Sequence, residues 1–452
     1  MRRLIEKSLK EWKDSHRRKP LMILGVRQCG KTYSMKELGR REFPDYAYFN
    51  FESDEGGRLK GIFEKGLDTS RIIDDLSYVR GKRITPDTLI IFDEIQYCMR
   101  AIASLKYFCE EAPEYYIVCA GSLLGVKLHE STEGRSGDYS FPVGKVRFMN
   151  MHPMNFAEFL RETRGDLYGD LAENISAGET VPDAAMSVLE EAVREYWLVG
   201  GMPESVAVWK ETRDIEAVRK VQKDIDMSYL MDFSNHAPED FPKLSAIWNS
   251  IARQNAKGNE RFFFNEAVEG SRAGQLKDAL QWLIDAGLVY RCTRVSSPDV
   301  PLTDREDRNI FKLYMADVGL MTFKSGVPAK AVGKEEEAYG LFRGALAENF
   351  VLTEMISSYG TEKPYDYWKN DRGISEVDFL LDMDGETIPI EVKSGRVPRL
   401  RSMEQYISLY NPRVAVLASF RNLGGEGKLR SVPLYLMWRV KDFIRNPERS
   451  RP

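Results

Sequence analysis

The run Gly25-Val26-Arg27-Gln28-Cys29-Gly30-Lys31-Thr32 has the residue types and spacing that hold a polyphosphate. Its two glycines let the backbone curl until successive N–H groups, those of Gln28, Cys29 and Gly30 included, point inward at phosphate oxygens. A helix beginning at Lys31 adds the positive end of its dipole. Lys31 supplies a mobile cation for the β- and γ-phosphates, and the Thr32 hydroxyl is placed to ligate Mg2+. Further along, Leu89-Ile90-Ile91-Phe92-Asp93-Glu94 is an apolar run ending in two carboxylates. Asp93 suits the Mg2+ shell, and Glu94 suits the orientation or deprotonation of an attacking water. A third apolar run delivers Gly121 and Ser122, whose hydroxyl can sense the γ-phosphate. Together these are the Walker A, Walker B and sensor elements of ATP binding and hydrolysis. Arg135, Lys145 and Arg147 are the candidates for a cation acting in trans, and Arg27 has no assigned role.

A second constellation lies far downstream. Asp378 sits in Glu376-Val377-Asp378-Phe379-Leu380-Leu381, and Glu391 and Lys393 in Ile388-Pro389-Ile390-Glu391-Val392-Lys393. Residues two apart on a strand share a face, so Glu391 and Lys393 project together, and a hairpin turning at Asp384-Gly385 brings Asp378 beside them. Glu348, in a helix upstream, completes the group. Clustered carboxylates holding Mg2+ or Mn2+, with a lysine orienting a metal-bound water, are what phosphodiester cleavage needs. The expected metal ligands are therefore Thr32 and Asp93 at the first site and Glu348, Asp378 and Glu391 at the second. Lys369, Arg372, Arg396, Arg399 and Arg401 would suit phosphate contacts nearby.

The elements that must position these residues follow from periodicity. Strands at 21–24, 46–51, 88–92 and 115–120 alternate with helical stretches, which predicts a parallel sheet covered on both faces. From about residue 149 to 233 the pattern turns helical and is broken by Gly200-Gly201-Met202-Pro203. Residues 243–316 read as three helices and two strands, the order of a winged helix-turn-helix; its third helix carries Arg272 and Lys277 against Asp278 and Asp285. After a charged linker at 330–338, the order helix, strand, strand, strand, helix, strand is that of a PD-(D/E)XK nuclease core. The expected organisation is α/β: a P-loop NTPase core at 1–148, a helical extension at 149–240, a winged helix at 241–329 and a nuclease-like α/β domain at 338–452.

Bulk properties narrow the class. A chain of 452 residues with 43% hydrophobic and 30% charged content is a folded multidomain protein rather than a disordered one. No apolar window is long enough to span a membrane, and no apolar run follows the charged N-terminus as a secretory signal would. Five cysteines without a CxxC pair and four scattered histidines fit reduced thiols in the cytoplasm and offer little to zinc. A net charge of −4 leaves nucleic-acid binding to a local basic face rather than to the whole chain.

Several of these motifs, taken in order, resemble a known group. Arg18-Lys19-Pro20-Leu21 leading into the phosphate loop, Tyr48-Phe49-Asn50-Phe51, 89–96, Ala120-Gly121-Ser122-Leu123-Leu124-Gly125, His152-Pro153-Met154-Asn155-Phe156-Ala157-Glu158-Phe159 and 196–204 are similar to prokaryotic AAA-type ATPases of the AAA+/STAND-related archaeal ATPase group. The resemblance covers nearly the whole chain. It implies ATP and Mg2+ as ligands and a C-terminal domain that looks like a PD-(D/E)XK nuclease. Expected partners are ATP and DNA, with a homo-oligomer or a partner protein and no membrane. Many relatives have Gly-Arg before the helical segment where this chain has Gly144-Lys145, and lysine cannot make the forked contact of an arginine finger. An ATP-driven device acting on DNA is the leading expectation. The alternative is a regulatory switch whose C-terminal parts bind without cutting.

Overall fold

Five short runs form a parallel sheet: β1 (Leu21–Leu24), β2 (Asp45–Asn50), β3 (Thr88–Asp93), β4 (Tyr116–Ala120) and β5 (Arg147–Asn150). Their order is β2-β3-β4-β1-β5, with every neighbouring pair parallel. In this computed structural model the described residues are 1–121, 141–329, 339–361, 365–370, 375–383, 385–395 and 400–445. Ser122, Arg135, Arg372, Asp384, Arg396 and Arg399 lie outside them. β3 is buried along its whole length, which is why its sequence is a continuous apolar run rather than an alternating one. Phe49, Phe51, Phe63 and Phe92 pack around it, with Phe51 and Phe63 meeting Phe92 edge-on at 5.6 and 5.9 Å between centroids. β5 falls where a helical pattern was expected to begin. It is a four-residue edge strand with most side chains exposed, so it carries no apolar period to read.

The chain divides into two compact units, Met1–His152 with Asp285–Gly287, and Pro153–Ile284 with Leu288–Pro452. In the second unit the helix Phe156–Arg164 starts with a capping box between Asn155 and Glu158. Asp183–Val199, Pro203–Thr212 and Ile215–His236 follow. The turn between the first two of these is interlocked with two distant segments. Gly201 N–H donates to Asp317 Oδ2 at 2.6 Å, Leu320 N–H to Asp317 Oδ1 at 2.8 Å, and Met154 N–H to Gly201 O at 2.7 Å.

Helices Phe241–Ala256, Phe264–Ala267 and Ala273–Asp285 then lead into β6 (Val289–Val295) and β7 (Glu306–Met315). The helix Gly340–Tyr359 precedes β8 (Asp366–Lys369), β9 (Glu376–Met383) and β10 (Glu386–Val392). The helix Arg401–Tyr410 precedes β11 (Ala415–Ser419), β12 (Gly424–Glu426) and β13 (Leu429–Pro433). All eight strands form one mixed sheet in the order β12-β13-β11-β10-β9-β8-β6-β7. The hairpin expected as a wing thus runs on into the strands expected of the C-terminal domain, through parallel pairing of β6 with β8. β8 is only four residues long and fully buried, and without β6 one of its edges would be left unpaired. At the outer edge, Asn349 of the long helix covers β7, accepting from Met315 N–H at 2.8 Å and donating to Met315 O at 3.0 Å. Among the described residues no helix is long and apolar enough to cross a membrane.

Candidate nucleotide site and a second charged cluster

β1 delivers the phosphate loop, and three left-handed residues shape it: Gly25 at φ 150°, Gln28 at φ 64° and Gly30 at φ 102°. A Cβ on Gly25 would stand 2.1 Å from Met151 O, so only glycine fits there. Gln28 is exposed, Cys29 is buried, and the helix Lys31–Glu42 starts directly after Gly30. Lys31 Nζ donates to the carbonyls of Gly25 and Val26, both at 2.8 Å, which folds its side chain over the loop. Thr32 Oγ1 donates to Asp93 Oδ2 at 2.7 Å, and Tyr48 on β2 donates to the same oxygen at 2.8 Å. Burial, and next the Asp93 charge, push the Tyr48 phenol well above its ordinary range, so it stays a donor. Glu94 follows Asp93 in a left-handed conformation at φ 49°, with Oε2 accepting from Gln96 Nε2 at 2.6 Å. The loop lysine, a hydroxyl–carboxylate pair and a second carboxylate thus lie at one end of the parallel sheet. A paired hydroxyl and carboxylate are the oxygen donors Mg2+ takes beside phosphate, so the residues fit that ion. The other expected cations are engaged in the first unit: Lys145 pairs with Glu110 at 2.8 Å and Arg27 with Glu52 at 3.8 Å, while Arg147 is exposed on β5.

The antiparallel register of β9 with β10 pairs Ile390 with Phe379, which sets Asp378 beside Glu391. Asp378 Oδ2 accepts from Val392 N–H at 2.7 Å, and Lys393 Nζ pairs with Glu391 Oε1 at 2.6 Å. Burial first, then the Glu391 and Glu348 charges, drive the Asp378 carboxyl well above the usual range. Glu348, however, is held from β7: Lys312 Nζ lies 3.2 Å and Tyr314 OH 2.8 Å from Glu348 Oε2. Lys312 also pairs with Glu376 Oε1 at 2.6 Å, and Lys369 with Glu376 Oε2 at 3.2 Å and Glu260 at 2.5 Å. Among the described residues no three His, Cys, Asp or Glu side chains are gathered so as to hold a metal ion. The expected ligand set Glu348, Asp378 and Glu391 is therefore not assembled. Lysines 312 and 393 hold two of its members, and a main-chain N–H holds the third. Of the expected phosphate-contacting cations, Lys369 is buried in ion pairs, whereas Arg401 and the helix residues Arg272 and Lys277 are exposed.

Asp366, on β8 in the same sheet, is almost wholly buried, and among the described residues neither of its oxygens has a hydrogen-bond partner in good geometry. Burial, then the Glu306 charge, push its carboxyl up to about 7, only partly offset by the Thr293 main chain and Arg291. The folded state thus binds the proton more tightly than the unfolded chain, whose carboxyl titrates near 3.8. Stability should fall as pH rises from about 4 through 7, by an upper bound of roughly 4 kcal/mol. Asp366→Asn mimics the neutral acid. Its melting midpoint should exceed that of the parent at pH 8.5 and match it at pH 4; an equal difference at both would refute the assignment.

Residues 17–160 match the model of a family described as AAA domain. The first unit carries an AAA-type P-loop ATPase domain. Residues 190–331 match a Domain of unknown function (DUF8612), and residues 343–435 match a second, Domain of unknown function (DUF4143). No curated protein matches. Among solved structures, a Walker-type ATPase of Pyrococcus abyssi is 18% identical, covers 71% of this chain and 95% of its own, and has a TM-score of 0.44. The Orc1 protein of Aeropyrum pernix in complex with DNA is 13% identical, with coverages of 73% and 94% and a TM-score of 0.29. AMPPCP-bound DnaA of Aquifex aeolicus is 11% identical, with coverages of 63% and 87% and a TM-score of 0.25. Scores this low say nothing about the partner or substrate of this chain.

Within the AAA domain, two contributors escaped the sequence reading. Tyr48 was visible only as part of a family motif, although a polar residue at alternate spacing on a strand could mark it. Gln96 stands two residues after Glu94 in a 3-10 turn, a spacing that carries no general meaning. In the second unit, Lys312 did leave a signal: a lone charge inside the apolar run Phe311-Lys312-Leu313-Tyr314-Met315. A buried lysine needs carboxylate partners, and Glu348 and Glu376 are those partners.

Proposed function

We propose that this chain hydrolyses ATP at the loop 25–32 and uses the nucleotide state to act on DNA through its second unit. The observation that carries the proposal is the hydrogen bond of Thr32 to Asp93, with Glu94 the next residue. It joins the phosphate loop to the two carboxylates that hydrolysis requires. Lys31 and the loop N–H groups would bind the β- and γ-phosphates, Thr32 and Asp93 would hold Mg2+, and Tyr48 would keep Asp93 oriented. Bound Mg2+ supplies charge neutralisation on the phosphate oxygens. Glu94 would accept the proton of the water whose oxygen attacks the γ-phosphorus, while the bond to the β–γ bridging oxygen breaks and ADP leaves. Ser122, outside the described residues, keeps its proposed sensor role.

The nuclease-like reading of the second unit is supported by the hairpin register that sets Asp378 beside Glu391 and by Lys393. The alternative, a regulatory switch that binds partners without cleavage, is favoured by the lysines that hold Glu348 and Glu391. Phosphate release by the parent and by Lys31→Ala, with and without duplex, branched and single-stranded DNA, tests the first reading. DNA-stimulated turnover abolished by Lys31→Ala supports it, and turnover indifferent to DNA removes the coupling. The same DNAs incubated with Mg2+ or Mn2+ separate cutting from binding. Cleavage lost in Asp378→Ala supports the nuclease, and DNA retained but uncut supports the switch.

A further inference from the structure

Arg3 is separated from the phosphate loop by a whole helix and a strand, yet its side chain ends on the loop. Arg3 Nη1 donates to Cys29 O at 2.7 Å and Nη2 to His152 O at 2.8 Å. The residue is 6% exposed. Its backbone is fixed independently of the loop, because Arg3 N–H donates to Glu6 Oε1 at 3.1 Å and Arg3 O accepts from Glu6 N–H at 3.1 Å. The helix it precedes, Ile5–Lys13, buries Leu9 and Trp12, and Trp12 Nε1 donates to Lys19 O at 2.8 Å. Arg41 and Glu42, at the far end of the helix that follows the loop, pair with Glu6 at 3.1 Å and Lys13 at 3.2 Å. The fork is therefore set in place by two helices before it reaches the loop.

We propose that Arg3 is a positioning residue for nucleotide, a clamp that aims the Gly30 N–H at phosphate; this rests on the ATPase reading above. The carbonyl of Cys29 and the N–H of Gly30 belong to one planar trans peptide and point in opposite directions. Drawing the carbonyl outward onto a guanidinium turns that N–H inward, and a charged donor on the carbonyl strengthens the N–H as a donor in turn. The second arm of the fork holds His152 O, just after β5, so the loop is referenced to the strand end rather than left to find its own shape. Cys29 Sγ, 3.6 Å from Met151 O, and the close approach of Gly25 to that same carbonyl fix the loop on the same side. The His152 imidazole is held neutral, pushed down to about 4 by burial and then by the Arg3 charge, so it does not compete as a second cation. Lysine cannot reproduce the contact fully, because a single ammonium replaces two separately placed N–H arms held in one rigid plane.

Arg3→Gln and Arg3→Lys in the full chain test the clamp, with ADP and ATP binding read by titration of a fluorescent analogue. KM and kcat come from phosphate release, and the melting midpoint is taken without nucleotide. Arg3→Gln should weaken both nucleotides by about tenfold and raise KM in step, with kcat falling less and the nucleotide-free midpoint within a few degrees of the parent. Arg3→Lys should fall between. Affinities within about twofold of the parent in both variants would overturn the clamp. If Arg3→Gln does not fold, parental affinity in Arg3→Lys overturns it as well, and failure of both to fold reduces Arg3 to a structural role, which also overturns it. A parent that binds no nucleotide, or Lys31→Ala that binds as the parent does, sinks the ATPase reading instead.

Discussion

Glu94→Gln is expected to lower ATP turnover by roughly a hundred- to ten-thousand-fold while leaving ATP binding in place. The reason is positional. Glu94 follows Asp93 at the end of a fully buried strand and is half-buried, beside the loop rather than in it. The amide keeps the shape and can still meet Gln96, but it cannot accept a proton from water. Phosphate release at saturating ATP measures the first half of the expectation, and fluorescent-nucleotide titration the second. A turnover within about threefold of the parent would exclude Glu94 as the base. Lys31→Ala should show the opposite division, with binding lost first, because its ammonium is the loop's mobile cation.

Gly201→Ala should be the most damaging single methyl in the second unit. Its Cβ would stand 1.9 Å from Met154 O and 2.9 Å from Met154 N, main-chain atoms that cannot rotate away. Those atoms are themselves committed, since Met154 N–H donates to Gly201 O and Met154 O accepts from the Tyr196 hydroxyl at 2.5 Å. The clash costs about 3 kcal/mol or more, because relieving it breaks hydrogen bonds in three segments at once. Gly274→Ala is the control. It lies in the helix Ala273–Asp285, an added Cβ meets nothing within 4 Å, and it should be neutral or stabilising by under about 1 kcal/mol. Thermal melts of the two variants decide the matter; equal midpoints would show that the segment gives way.

The candidate nucleotide site could be proposed from sequence because its elements are local. Eight consecutive residues make the loop, and an apolar strand announces the carboxylates at its end. Strands buried on both faces read as continuous apolar runs, whereas the exposed β5 left no pattern. The Gly200-Gly201 break was visible as a break, but its cause was not, since Asp317 and Met154 are far from it in sequence. The C-terminal cluster shows the same limit. Glu391 and Lys393 share a strand face by spacing alone, and the hairpin placed Asp378 beside them. What spacing cannot convey is competition. Lys312 arrives from a strand expected in another domain and takes Glu348, because a buried ammonium must find carboxylates wherever the sheet brings them. Arg3 is the extreme case: a residue near one end of the chain whose partner is a main-chain carbonyl leaves no trace in residue types.

The join between β6 and β8 has a consequence for how such a chain can be inherited. Two segments that match separate families share one run of main-chain hydrogen bonds, and a lysine from the first neutralises acids in the second. A recombination event that breaks the gene between residues 331 and 343 would leave one product with an unpaired edge at β8 and a Glu348 that has lost Lys312. It would leave the other with a buried ammonium that has lost its acids. Neither half can be exchanged like a bead on a string, so the hairpin and the sheet it extends should travel through descent as a single unit of selection.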